Sequence, residues 1–296
     1  MLVGMHVPQW GADATRNGVL AVARVADAVG LDSVWVADHV VFPLQGDTKY
    51  PYREKGVPFT PEEGFLDALS TLAVIAGATE RVRIGTSILV SPMREPLQLA
   101  KTAATVDVLS GGRLVLGVGM GWWKEEYEAL GVPFEARGKR FEEQLRILRA
   151  LWRDGRLEHR GDFYDFGAVA CEPRPIQSGG PPLLIGGLGE KAQRRAALIG
   201  DGWHGVGWKA EVFRQAFENV RRMASDAGRD PDAIKFSTSI GLHPDRDKAI
   251  QRLTEMADAG VSLAVLNLSE QTSAATCAAI ERLAEEILPA VATVAG

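Results

Sequence analysis

The sequence predicts a (β/α)8 barrel, that is, a TIM barrel of the α/β class with insertions after strand 2 and before strand 5. Strand-like runs alternate with amphipathic helices along the chain, giving eight strand–helix pairs. The length, 296 residues, is long for one ordinary domain and normal for a barrel. Several strand-like runs also end in glycine, histidine or carboxylate residues, and the carboxyl ends of the strands are where a barrel gathers its chemistry. An open doubly wound sheet uses the same units but usually fewer of them, divided into two halves.

The first strand is expected at Leu2–Val7 and brings His6 to its end. No basic stretch precedes it, so it reads as a strand and not as a secretory signal. The second, Ser33–Ala37, supplies Val34, Trp35 and Val36 and then presents Asp38 and His39 together. The third, Val82–Ile88, ends in Gly85-Thr86-Ser87-Ile88. After it, Glu95–Leu109 carries apolar residues at helical spacing and stops at Ser110-Gly111-Gly112, glycines suited to a left-handed C-cap. The fourth, Leu114–Val118, delivers Gly119-Met120-Gly121-Trp122. Two glycine-rich strand ends one crossover apart describe a floor of bare backbone on which a flat ligand could lie.

Four more strands follow at Pro182–Ile185, Gly202–Val206, Lys235–Gly241 and Leu263–Leu268, bringing Gly186-Gly187, His204, His243 and Asn267 to the same end. Helices are expected to start near Thr15, Pro61, Glu95, Ala136, Glu190, Ala210, Arg246 and Thr272. Two connections exceed what a barrel needs. Val40–Thr60 has the length of a lid or binding loop, and Leu157–Pro182 contains an alternation at Phe163–Phe166 that suggests a small hairpin. Neither divides the chain, so residues 1–296 are expected to form one barrel domain.

Composition narrows the function. The chain is 46% hydrophobic and 24% charged, as a globular protein is. Its net charge of −5 offers no basic field for nucleic acid, and no Lys/Arg cluster points to an anionic membrane. No apolar run approaches the ~20 residues that span a bilayer. Cys171 and Cys277 stand far apart, in neither a CxxC nor a metal spacing, which suits a reducing, cytoplasmic setting.

Among the strand ends, Asp38-His39 is the sharpest pair, because a neutral imidazole can take a proton and a neighbouring carboxylate tunes its basicity. Gly186-Gly187, just before Glu190, places exposed amides at a helix N-terminus, a setting that binds phosphate; a plain tight turn would use the same glycines. Gly117-x-Gly119-x-Gly121 misses the dinucleotide fingerprint, which needs glycine where Trp122 stands. A metal-dependent hydrolase would want a histidine pair on strand one, where His6 is alone, so no metal is expected.

These segments together resemble the luciferase-like monooxygenase superfamily, and within it the coenzyme F420-dependent branch. The resemblance rests on DSVWVADH at 32–39, GTSILV at 85–90, EPLQLAKTAATVDVLSGGRLVLGVGMGW at 95–122, PPLLIGG at 181–187 and RRAALIGDGW at 194–203. It implies a barrel that lays a deazaflavin or flavin across its strand ends. His39 would then be catalytic, with Asp38 sharing the proton handling and lying within the cofactor site. Ser87-Ile88 would form a bulge, often with a non-proline cis peptide, under the ring. Gly119, Met120 and Gly121 would line the ring, Gly186, Gly187 and Leu188 would hold its phosphate, and Lys209 would approach its anionic tail. Trp122, Phe42 and Arg53 would meet the substrate.

One departure matters. Sugar-phosphate dehydrogenases of this family carry a glutamate where Trp122 stands, so an apolar or planar substrate is expected in place of a sugar phosphate. The implied activity is F420-dependent hydride transfer with a small molecule, in a homodimer. An FMN-dependent two-component monooxygenase is the alternative, and a cofactor carrier without turnover a third.

Overall fold

The structure, a computed structural model, describes residues 1–51, 56, 57, 60–207, 209–268 and 272–294. Eight parallel strands close into a barrel: β1 (Leu2–His6), β2 (Ser33–Val36), β3 (Arg83–Val90), β4 (Leu114–Gly119), β7 (Leu183–Gly186), β8 (Gly202–Val206), β9 (Lys235–Gly241) and β10 (Leu263–Asn267). Each pairs with its sequence neighbour in the barrel, and β1 closes the ring on β10 with Leu2 opposite Leu263. The remaining two strands, β5 (Arg156–Arg160) and β6 (Asp165–Ala170), form a separate antiparallel hairpin between β4 and β7.

The helices are α1 (Arg16–Val29), α2 (Ala68–Ala76), α3 (Pro96–Leu109), α4 (Lys124–Ala129), α5 (Arg137–Asp154), α6 (Glu190–Leu198), α7 (Ala210–Asp226), α8 (Arg246–Asp258), α9 (Ser273–Arg282) and α10 (Leu288–Val294). Half of the expected starts are found with a capping side chain at the N-cap. Thr15, Glu95, Asp245 and Thr272 each accept a hydrogen bond from the amide three residues on, which satisfies an orphan donor of the first turn.

Two local expectations need correction. The helix expected near Pro61 begins at Ala68, capped by Asp67. Gly64–Leu66 is drawn out instead into extended pairing with the segment after β1: Gly11 N donates to Gly64 O, Leu66 N donates to Gln9 O, and Trp10 bridges Phe65. Partners distant in sequence have overridden a local helix-start signal. The hairpin, for its part, lies around Phe163 and Tyr164 and not within Phe163–Phe166. Both residues sit in its turn, where their amides donate to the carboxylate of Glu143 on α5, which also meets His159 Nε2 at 3.0 Å.

The core has two layers. The outer one packs strand faces against helices, with Leu72, Ile75, Leu99, Leu116, Leu145 and Phe213 fully or almost fully buried. The inner one is small: Trp35, Val115, Leu184, Leu263 and Val265 fill the lower barrel. Trp35 fits because Gly4 and Gly85 lack side chains; a Cβ on either would lie 2.5 Å from its ring system. Above that plug the interior turns polar. At the rim, Ser273 N and Oγ donate to Asp13 Oδ2, which ties the β10–α9 connection to the β1–α1 connection. Among the described residues no helix is long and apolar enough to cross a membrane.

Candidate active site at the barrel mouth

Asp38 and His39 follow β2 onto the carboxyl-terminal mouth, and their side chains go to different partners. Asp38, with a fully buried carboxylate, takes both guanidinium nitrogens of Arg94 at 2.7 and 2.8 Å and the Val90 amide at 2.8 Å. Arg94 reaches Asp67 as well, at 3.5 Å. Burial by itself would lower the Arg94 guanidinium, but the Asp38 and Asp67 carboxylates together outweigh it and lift the group above its ordinary range. Asp38 therefore clamps β2 to the end of β3. The carboxylate on the histidine is Glu126: His39 Nδ1 meets its Oε2 at 2.8 Å, and its Oε1 accepts from the Val40 amide at 2.7 Å. Glu126 is completely buried and His39 nearly so.

Neither Glu126 nor Arg94 was singled out from the sequence as a site residue. Glu125-Glu126, separated by Lys124 from the tryptophan pair that follows a strand end, was the available signal. What it lacked was a partner, since Glu126 lies 87 positions from His39 in the chain. Glu125 performs a parallel task, its Oε1 accepting from the amides of Asp47 and Thr48 at 2.8 and 3.2 Å. Glu125 and Glu126 of α4 thus hold the long β2–α2 connection across the mouth at two points.

Ser87 and Ile88 do not end a strand. The third strand runs on to Val90, with an irregular register between Thr86 and Leu89 and a cis peptide between Ser87 and Ile88. The Ile88 side chain lies on the neighbouring glycines: a Cβ on Gly119 would sit 2.8 Å from its Cγ2, and one on Gly186 2.9 Å from its Cγ1. A Cβ on Gly117 would fall 2.1 Å from Thr86 O. These glycines accommodate the bulge, so the surface here is Ile88 and not the bare backbone expected from the sequence. Gly121 is in the left-handed region at φ 65°, and a Cβ there would meet Val90 Cγ1 at 2.6 Å. Met120 O accepts from the Tyr127 hydroxyl at 2.5 Å.

Beneath the bulge lies a polar interior. His204 sits in mid-strand on β8, not at a strand end, and is fully buried. Its Nε2 meets Ser87 Oγ at 3.0 Å and its Nδ1 meets Ser237 Oγ at 2.8 Å. Burial, with a lesser contribution from His6, pushes its pKa down to about 3; burial alone takes His6 down to about 4. Both imidazoles are therefore neutral at ordinary pH. Asn267 donates to Ser239 Oγ at 3.3 Å in the same interior. His243 belongs elsewhere: its Nδ1 accepts from the Asp245 amide at the entry to α8.

Gly186, Gly187 and Leu188 form the turn into α6. Gly187 has a φ of 126°, open to glycine and strained for any other residue. The N-cap, Gly189, supplies no side-chain hydrogen bond, so the first amides of α6 carry no side-chain cap. Lys209 is exposed and is the N-cap of α7, the helix packed beside α6.

Rings crowd around His39. The His39 imidazole lies 5.5 Å from Phe42, 5.7 Å from Phe65, 6.1 Å from Trp122 and 5.6 Å from Trp123. Trp122 stacks on Trp123 at 4.9 Å, and Tyr50 meets Trp122 at 5.1 Å. Phe42 and Trp122 were expected here, and Tyr50 lies on the Val40–Thr60 connection expected to act as a binding loop; Phe65 and Trp123 come into place only through the fold. Arg53 lies outside the described residues.

Comparison with known proteins agrees with this fold. The family model of luciferase-like monooxygenases matches residues 2–286. An uncharacterised protein of Mycobacterium tuberculosis is 37% identical over 78% of this chain and 80% of its own length. An F420-dependent glucose-6-phosphate dehydrogenase of Amycolatopsis mediterranei is 30% identical over 88% of this chain and 74% of its own. Among solved structures, an F420-dependent secondary alcohol dehydrogenase in complex with an F420–acetone adduct superposes with a TM-score of 0.82, covering 98% of both chains at 20% identity, and so shares the fold. With a closed eight-stranded barrel and a family match across nearly all of its length, the chain belongs to the luciferase-like monooxygenase family.

Proposed function

We propose that this protein is an F420-dependent oxidoreductase that exchanges a hydride between the deazaflavin C5 and a small organic substrate. The observation that carries the proposal is the His39–Glu126 pair at the barrel mouth. The F420 dependence of the Amycolatopsis relative supports it.

The residues present fit such a cofactor. Ile88, backed by Gly119 and Gly186, offers an apolar support for a flat ring. The α6 N-terminus, with no side-chain cap, and the Gly186-Gly187 turn suit a phosphate, and exposed Lys209 suits a further anionic group. When bound, the deazaflavin supplies the hydride donor or acceptor.

The chain's part is orientation and proton handling. With Nδ1 held by the Glu126 carboxylate, His39 carries its proton on Nδ1 and presents Nε2 as the base. In the oxidising direction, Nε2 would take the proton that the substrate releases, while the bound deazaflavin would supply the hydride acceptor. In the reducing direction the same atom returns the proton. Asp38 holds Arg94 and the Val90 amide, and so fixes the strand end from which His39 projects.

The deciding experiment is fluorescence titration of the purified protein with oxidised F420 and, under matched conditions, with FMN. Micromolar F420 binding with weak FMN binding is expected. Tight FMN binding without F420 binding would make it an oxygen-using flavin monooxygenase, and binding of neither would overturn the cofactor assignment.

A further inference from the structure

β3 loses its ladder at Ser87 and Ile88. Its pairing with β2 ends at Thr86 opposite Val36, and its pairing with β4 passes from Thr86 to Leu89 without either residue. Side chains anchor the segment instead. Thr86 Oγ1 donates to Gly117 O at 2.8 Å, and the Val90 amide donates to Asp38 at 2.8 Å. Between these two anchors, Ser87 Oγ meets His204 Nε2 at 3.0 Å. That contact crosses the barrel, since β4 and β7 separate β3 from β8 around the ring of strands.

His204 is itself held in place. Its Nδ1 meets Ser237 Oγ at 2.8 Å, Ser237 donates on to Trp203 O at 3.4 Å, and the imidazole stacks on Trp35 at 6.1 Å with planes 24° apart. The chain of bonds has one direction. Ser237 has a single hydroxyl proton and spends it on the carbonyl, so it accepts from His204 Nδ1–H. The neutral ring is then unprotonated at Nε2, which accepts from the Ser87 hydroxyl. A fully buried imidazole carries a desolvation cost that an apolar residue above the Trp35 plug would not. Its hydrogen bonds offset that cost, and one of them ends on the residue next to Ile88.

We propose that His204 is a positioning residue: by accepting the Ser87 hydroxyl across the barrel it fixes the bulge, and with it the Ile88 side chain, where Ile88 supports a flat ring. The ring comes from the cofactor reading, on which that half of the inference rests. The strut from His204 to Ser87 stands on the hydrogen bonds alone. His204 acts through Ser87, and proton handling stays with His39.

The test compares His204→Leu, His204→Gln, Ser87→Ala and the double variant His204→Leu with Ser87→Ala, all in the full chain. Amide hydrogen exchange over residues 85–90, measured without cofactor, reads the strut. It should be about fivefold faster or more in His204→Leu and in Ser87→Ala, and close to wild type in His204→Gln, whose side-chain amide can take the same hydroxyl. F420 titration reads the ring support. Affinity should fall by about three- to tenfold in each of His204→Leu and Ser87→Ala, fall no further in the double variant, and recover in His204→Gln. A His204 that only fills space would give losses that add and no rescue by glutamine, which overturns the proposal. So does unchanged exchange over 85–90 in a His204→Leu protein with a wild-type circular dichroism spectrum; if that variant fails to fold, Ser87→Ala answers the same question with His204 in place. Nitrogen NMR showing His204 protonated at Nε2 overturns it as well. Failure of the wild-type protein to bind F420 removes the cofactor assignment and leaves the strut to be decided by exchange. Faster exchange with unchanged F420 affinity overturns the support of the ring by Ile88.

Discussion

At the residue scale, adjacent Asp38 and His39 have separate duties because each found its own partner. Glu126 orients the imidazole and Arg94 occupies the aspartate. His39→Ala should lower kcat by about 10²- to 10⁴-fold in any assay that the F420 titration makes possible, the range general acid–base groups contribute. Glu126→Gln should cost less, about a hundredfold, because the base remains and only its tautomer and orientation are lost. Asp38→Asn should act mainly on folding. Removing one partner of a buried ion pair leaves Arg94 with the longer contact to Asp67 as its one ionic partner among the described residues, a loss of about 3 kcal/mol or more, readable by urea denaturation. A normal unfolding midpoint together with a large loss of kcat in Asp38→Asn would instead place Asp38 in the chemistry. From the sequence, His39 and its place at a strand end were legible. Its carboxylate was not, because Asp38 is the neighbour along the chain and Glu126 the neighbour in space.

At the element scale, the third and fourth strands form one unit around Ile88. Its side chain fills the room left by Gly119 and Gly186, so a methyl group there has nowhere to go. Gly119→Ala should destabilise the fold by about 1–3 kcal/mol through overpacking, and Ile88→Ala in the same chain should recover part of that loss. Denaturant midpoints of the two single variants and the double variant give the coupling directly. Strictly additive losses would mean that Ile88 and Gly119 do not share this space. The sequence marked these glycines as special but assigned them to a ligand. A missing side chain is equally required where another side chain of the same protein must enter, and only coordinates separate the two uses. The helix expected at Pro61 teaches the converse: a start signal was present, and pairing with Gln9–Gly11 outcompeted it.

For the whole molecule, the polar barrel interior ties stability to pH. His6 and His204 have folded-state pKa values lowered to about 4 and about 3 from 6.5. Between those values and 6.5 the unfolded chain binds more protons than the folded one, so stability is fully present above pH 6.5 and is lost as pH falls. Each imidazole should contribute a slope of about 1.4 kcal/mol per pH unit in that window. Urea unfolding between pH 7 and pH 4 measures the combined slope, and His204→Gln should remove roughly half of it. An unchanged slope in that variant would show that His204 does not titrate on unfolding.

The sequence by itself determined the barrel, the order of its strands, and the delivery of Asp38, His39 and the Gly119–Trp122 segment to the mouth, though not the places of His204 and His243. Alternation of strand and helix, capping residues and glycine stops are local features, and a (β/α)8 barrel is assembled from local units joined in order. Only the tertiary structure decided which of those residues work together. The bond from His39 to Glu126, the clamp from Asp38 to Arg94, the bridge from Ser87 through His204 to Ser237, and the long connection held by Glu125 and Glu126 all join different strand–helix units. Such partners are chosen by how the barrel closes, because closure brings together strand ends that stand far apart along the chain.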